Sequence, residues 1–318
     1  MSLKNLLGIL LIIVGIFFII NIVRNGTPIF AWGDQEVLES EAYPVSGELM
    51  ALNIETSDAD IELKAGDQDG EVIIEVIGYE KTAKKFKLKA ELDGSEGTIT
   101  YKREGAFSWF GIQQKSHKLS ITVPERVWNH MNVNASSGDI AVRDIRTDHG
   151  DFDASSGDIA IKHTEANQLS IQTSSGDILL SDSKTVNADV KASSGDIEWV
   201  DVQSQQSSLR ATSGDISVER GTGQMDLKSS SGDIELTLTE GYGDITSNSS
   251  SGDIEIELPE EPQDIRFDLR TSSGDVDVRV GELDQKDQKE NRFEGQKGTG
   301  SIEIYAKTSS GDVEVTAH

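Results

Sequence analysis

One four-residue phrase recurs along this chain, Ser-Gly-Asp followed by Ile or Val. Its Gly and Asp are Gly138 and Asp139, Gly157 and Asp158, Gly176 and Asp177, Gly195 and Asp196, Gly214 and Asp215, Gly232 and Asp233, Gly252 and Asp253, Gly274 and Asp275, and Gly311 and Asp312. The first four intervals between glycines are 19 residues each, the next three 18, 20 and 22, and the last 37, close to two periods. A period of this size marks a repeat architecture, in which each small unit buries its apolar face only by stacking on the next.

Aligning the repeats shows what each unit is. Two residues past the glycine stand Ile140, Ile159, Ile178, Ile197, Ile216, Ile234, Ile254, Val276 and Val313; four past it stand Val142, Ile161, Leu180, Trp199, Val218, Leu236, Ile256, Val278 and Val315. The residues between are mostly polar or small, such as Ala141, Glu198 and Glu235. Period-two alternation of this kind predicts a strand with one buried face. Before the corner, apolar residues such as Phe152, Ile171 and Val190 are followed two positions on by small ones, Ala154, Thr173 and Ala192. That is a second strand tapering into a tight turn. Nineteen residues are too few for a strand–helix–strand crossover, which needs about 30. The expected fold class is all-β, a parallel β-solenoid (β-helix) of about 19-residue coils, with like residues in columns about 4.8 Å apart.

In this reading the Ser-Gly-Asp corner is structural. Glycine supplies backbone freedom for the sharp turn, and Ser and Asp cap amides within it. The alternative is a calcium ladder, because the aspartates form a column in which neighbours repel by about 1 kcal/mol in water. The known calcium-binding repeat has a shorter, glycine-richer period. No metal and no cofactor is expected.

The formal net charge of −27 argues against a nucleic-acid partner, which needs a basic footprint. With no cysteine, there is no disulfide framework, thiolate metal site or cysteine nucleophile. Leu6 to Val23 is an apolar run broken only by Asn21, long enough to span a bilayer. An uncleaved transmembrane helix over 6–24 is expected, in preference to a cleavable signal peptide, for want of a good small-x-small site. Residues 1–5 would then be cytoplasmic. Asp34, Glu36, Glu39 and Glu41 follow the span, which places the solenoid outside a single-pass membrane protein. Residues 25–44 read as a polar linker.

From 45 to 125 the strands alternate without the period, as an irregular β-rich amino-terminal cap. Regular repeats occupy 126–318, with a polar inserted loop over 281–298. The final coil looks uncovered, an edge open to self-association. Two stretches in the cap stand out. Lys81, Lys84, Lys85, Lys87 and Lys89 alternate with Phe86 and Leu88, as the solvated face of a strand would. Phe107, Trp109 and Phe110 lie in a glycine-flanked loop between basic residues. Such aromatics grip a sugar face or a membrane interface, or fold back over the solenoid end. Lys84, Lys85, Phe107, Trp109 and Phe110 are the candidate contact residues for the membrane, a cell-wall polymer or another envelope protein.

The apolar amino-terminal run, the stretch LSITVPERVWNHMNVNASSGDI and the serial SSGDI corners together resemble the LiaG-like putative adhesins, bacterial envelope proteins with a domain of unknown function. The resemblance implies a parallel β-solenoid and a membrane-anchored role linked to envelope stress. It carries over no catalytic residue.

No other chemistry emerges. His117, His130, His149, His163 and His318 lack metal-ligand spacing; there is no Gly-x-Ser-x-Gly elbow; Ser181 and Lys184 form a lone Ser-x-x-Lys. The expected function is a non-enzymatic surface module, an adhesin or envelope scaffold. The alternative is a polysaccharide lyase or hydrolase, by fold analogy alone.

Overall fold

The structure is a computed structural model and describes residues 36–45, 47–66, 70–79, 85–104 and 117–317. The apolar run at 6–24, Lys81, Lys84, Phe107, Trp109 and Phe110 lie outside the described residues. Among the described residues no helix is long and apolar enough to cross a membrane.

Among the described residues every element is a strand. Seven precede the first regular coil: β1 (Glu36–Pro44), β2 (Ala51–Thr56), β3 (Asp60–Gly66), β4 (Glu71–Gly78), β5 (Phe86–Glu91), β6 (Glu96–Arg103) and β7 (Lys118–Pro124). The coils then follow as pairs, a long strand, the Ser-Gly-Asp corner, and a second strand: β8 (Val127–Ala135) with β9 (Ile140–Arg143), β10 (Arg146–Ala154) with β11 (Ile159–Lys162), β12 (Glu165–Thr173) with β13 (Ile178–Ser181), and β14 (Lys184–Ala192) with β15 (Ile197–Val200). After β16 (Gln203–Ala211) the turns are absorbed into longer strands, β17 (Ile216–Ser229) and β18 (Ile234–Ser249), and β19 (Ile254–Leu258) closes that run. The last elements are β20 (Ile265–Ser273), β21 (Val276–Arg279), β22 (Gln285–Lys289), β23 (Arg292–Lys297), β24 (Ile302–Ser310) and β25 (Val313–Ala317).

Pairing between coils is parallel and in register. Ile159 lies against Ile140 on one side and Ile178 on the other, and the column continues through Ile197, Ile216, Ile234 and Ile254. Phe152, Ile171, Val190, Leu209 and Leu227 face them, all essentially inaccessible. Burying each such side chain contributes about 1.5–3 kcal/mol, and no coil buries its face alone. Ala135, Ala154, Ala192 and Ala211 stand where the long strand runs into the corner, because the two walls converge there.

The two ends depart from chain order. β2 pairs in parallel with both β6 and β8, and β3 with both β7 and β9. The first coil in sequence is thus second in the stack. At the far end β24 sits between β18 and β20, and β25 between β19 and β21. The last coil is therefore enclosed, contrary to the expectation of an open final coil. Antiparallel strands then cover the outer coils: β5 on β6, β4 on β7 and β23 on β20.

Two further expectations are corrected. Residues 281–298 do not form a loop; β22 and β23 make a hairpin. Phe293 is buried edge-to-face against Phe267, 6.2 Å between centroids, with Lys286 over its other side. The expected linker ends early, because Glu36–Pro44 is a strand paired with β4. Of the irregular cap, β2 with β3 and β6 with β7 are coils in their own right.

Candidate functional site

The corner column is held by an aspartate ladder. The amide of each corner Asp donates to the Oδ1 of the Asp in the adjoining coil, in the spatial order Asp60, Asp139, Asp158, Asp177, Asp196, Asp215, Asp233, Asp253, Asp312, Asp275, at 2.8–3.1 Å. Charge-assisted bonds of this kind are the strong ones, and they offset the repulsion between stacked carboxylates. Hydroxyls add to the corner. Thr173 donates to the Gly157 carbonyl (3.0 Å) and accepts from the Gly176 amide (3.2 Å); Ser229 does the same between Gly214 and Gly232.

The glycines serve a different purpose from the one expected. Of the nine corner glycines only Gly274 and Gly311 have a positive φ, +158°. What each lacks is room: a Cβ at Gly157 would lie 2.0 Å from the Gly138 carbonyl oxygen, and one at Gly195 1.8 Å from that of Gly176. The coils touch backbone to backbone at the corner, and any side chain there would force them apart.

Burial disturbs some of these carboxylates. Asp139 is pushed up to about 6, chiefly by burial and despite the Asp158 amide bond that opposes it. Asp158 and Asp215 move upward for the same reason. On the adjoining face Glu198 is pushed up to about 7 by burial and then by Asp177, Asp196 and Glu219. Glu235 and Glu255 are raised in the same way, Glu255 beside Glu314.

Lys85 leads into β5 exposed, with Lys87 and Lys89 on the same solvent side and Phe86 buried beneath, as the alternation predicts. Lys87 reaches Glu104 at 3.4 Å. Phe86 stacks on Tyr101 and His117 at 5.2 and 4.2 Å, under the Arg103 guanidinium.

The second corner of each coil carries a column that sequence reasoning missed. Asp144, His163, Asp182, Asp201 and Arg220 stand six residues past the first five corner glycines. All have left-handed backbones, φ 50–59°, a conformation Asp and His adopt more readily than most residues with a side chain. Two residues further on stand Arg146, Glu165 and Lys184. Together with Glu125 and the Ala65–Gly66 end of β3, the first three members of each column line a groove of about 520 Å³. His163 lies between Asp144 (Nδ1 to Oδ1, 3.5 Å) and Asp182 (Nε2 to Oδ2, 3.9 Å). Arg146 lies between Glu125 (3.6 Å) and Glu165 (3.7 Å). The constant offset from the glycine was the available signal; that three coils converge on one concavity was not in it.

A family model described as Toastrack DUF4097 matches residues 49–316. The chain belongs to that family. The Toastrack domain so delimited spans β2 to β25 and holds both corner columns. Among solved structures the chain is similar to a putative adhesin from Bacteroides fragilis, at 12% identity and TM-score 0.45, covering 89% of this chain and 98% of that one. It is also similar to a putative lipid binding protein from Parabacteroides distasonis (16%, TM-score 0.44, 88% and 97% covered) and a putative adhesin from Parabacteroides merdae (13%, TM-score 0.43, 89% and 96% covered). Comparison with curated proteins found no match.

Proposed function

We propose that this Toastrack chain is a non-enzymatic, LiaG-like module of the bacterial cell envelope, adhesin-like or a stress-associated scaffold. Residues 6–24 anchor it in the membrane with its amino terminus in the cytoplasm and the solenoid outside. The observation that carries the reading is the aspartate ladder. The most repeated carboxylates of the chain are held by the amides of neighbouring coils, so their regularity is that of a frame and not of a reaction centre. A stack stiffened along one line in this way suits presenting surface at a distance from the membrane.

Contact with a cell-wall polymer, the membrane or another envelope protein belongs to the basic, aromatic part of the cap, Lys84, Lys85, Phe107, Trp109 and Phe110. The rest of the chain is too acidic to attract an anionic polymer. The test has two arms. Protease added to cells stripped of wall should digest the solenoid and leave an amino-terminal stub; full protection would overturn the topology. Incubation with pectin, alginate and peptidoglycan should give no turnover; turnover lost on changing one carboxylate would overturn the non-enzymatic reading in favour of a lyase or hydrolase.

A further inference from the structure

The groove at the second corner lies within the size range of small-ligand sites, about 300–1,000 Å³, and its two columns leave complementary valences open. In the first, His163 lies between Asp144, whose Oδ1 it approaches, and Asp182, whose Oδ2 is also paired with Lys162 at 3.5 Å. A carboxylate offers two oxygens with about four lone-pair sites, and His163 approaches only Oδ1 of Asp144. Acceptor capacity is left for an N–H donor from outside. In the second, the signs alternate: Glu125, Arg146, Glu165, Lys184. Arg146 is shared between two carboxylates at distances beyond hydrogen-bond length, and Lys184 makes no ion pair among the described residues. Lys184 is therefore free for a carboxylate, and Asp144 keeps acceptor capacity for an ammonium.

The columns run along the stack. Asp144 and Asp182 are two coils apart, roughly 9.6 Å at the ordinary strand spacing. An extended peptide advances about 3.3–3.6 Å per residue, so three residues span that length. We propose that this groove binds a short zwitterionic peptide laid along the solenoid axis, with its ammonium on Asp144 and its carboxylate on Lys184, two coils on. The proposal goes beyond the envelope role and rests on the chain's being a binding module and not an enzyme.

The test is calorimetric titration of the detergent-solubilised full chain with tri-alanine, its N-acetyl form, which lacks the ammonium, and its amide form, which lacks the carboxylate. Tri-alanine should bind saturably, and each blocked form should bind about tenfold more weakly, the loss of one charge-assisted contact. Two variants locate the site. Asp144→Asn should abolish the preference for a free ammonium, since Asn tolerates the left-handed backbone. Lys184→Gln should abolish the preference for a free carboxylate, and glutamine already occupies that column one coil on, at Gln203. Absence of saturable binding overturns the proposal. So does equal binding of all three peptides, or preferences that survive both variants. Mass spectrometry of the recovered peptide separates the two readings: cleaved peptide overturns the non-enzymatic role, whereas intact, unbound peptide overturns the groove alone.

Discussion

The middle of the stack and its two ends are made of the same coil but assembled differently. From β8 to β19 each coil lies on the one just made, and the ladder bonds join residues 18 to 20 apart. At the carboxyl end the ladder jumps 59 residues from Asp253 to Asp312, then returns 37 to Asp275. At the amino end it jumps 79, from Asp60 to Asp139. Longer closures cost more chain entropy and form later. In exchange the first and last coils gain partners on both sides, and antiparallel strands cover the outer ones. A repeat protein has to end its sheet somewhere, and bare parallel edges invite pairing with another chain. Here the ends are closed by placing the first and last coils of the chain inside the stack.

The largest test of that contrast is truncation. Removing residues 301–318 takes out an enclosed coil, not a peripheral one, and strands β18 and β20 lose their shared partner. Hydrogen exchange should show protection lost through the whole segment from 245 to 297. Loss confined to the deleted coil's immediate contacts would mean that the coils stack in chain order.

Gly195→Ala should come next. Its Cβ would meet the Gly176 carbonyl at 1.8 Å in the tightest part of the stack, and overpacking of that kind costs about 1–3 kcal/mol or more. Gly47→Ala, near the amino-terminal end, meets nothing within 4 Å and should change stability by less than about 0.5 kcal/mol. Urea unfolding of the two variants checks this; equal midpoints would show that the corner can spread.

A smaller effect separates middle from end within the ladder itself. Asp177→Ala removes the acceptor for the Asp196 amide, and an amide left without a partner costs about 1–3 kcal/mol. Asp275, last in the ladder, donates to Asp312 through its amide, which survives a change of side chain. Asp275→Ala should cost a few tenths of a kcal/mol, and a difference in urea midpoint between the two measures the ladder directly.

The mildest test is pH. Asp139 and Glu198 are raised in the folded chain to about 6 and about 7, against unfolded values of about 4. A group raised on folding binds protons more readily when folded. Its contribution is fully present below the unfolded value and is lost as pH rises through 6 to 7. The melting temperature should therefore be a few degrees higher at pH 5.5 than at pH 8, with part of the difference removed by Glu198→Gln. A lower melting temperature at pH 5.5 would contradict the burial of these carboxylates.

What could be read from residues alone was local. Alternation around each corner assigned Ile197 and Trp199 to the core and Glu198 to the outer face, because side chains on a strand point to opposite sides in turn. The small residue before the corner, the all-β class and the coil length followed in the same way. The constant offset of Asp144, His163 and Asp182 was legible too, but only as a repeated phase. In-register stacking is what makes those residues neighbours across a groove, since adjacency between coils depends on pairing and not on sequence distance. The role of the corner glycines was hidden for the same reason: the clash that excludes a side chain comes from the carbonyl of a different coil. The order of the terminal coils was the least legible. Every coil from β8 onward carries the same corner and nearly the same core column, so each fits against any other, and residues 281–298 show little more than Phe293 as an apolar mark. With local patterns that degenerate, the choice of neighbour falls to the lengths of the connections and to which arrangement covers the outer coils, and both are properties of the whole stack.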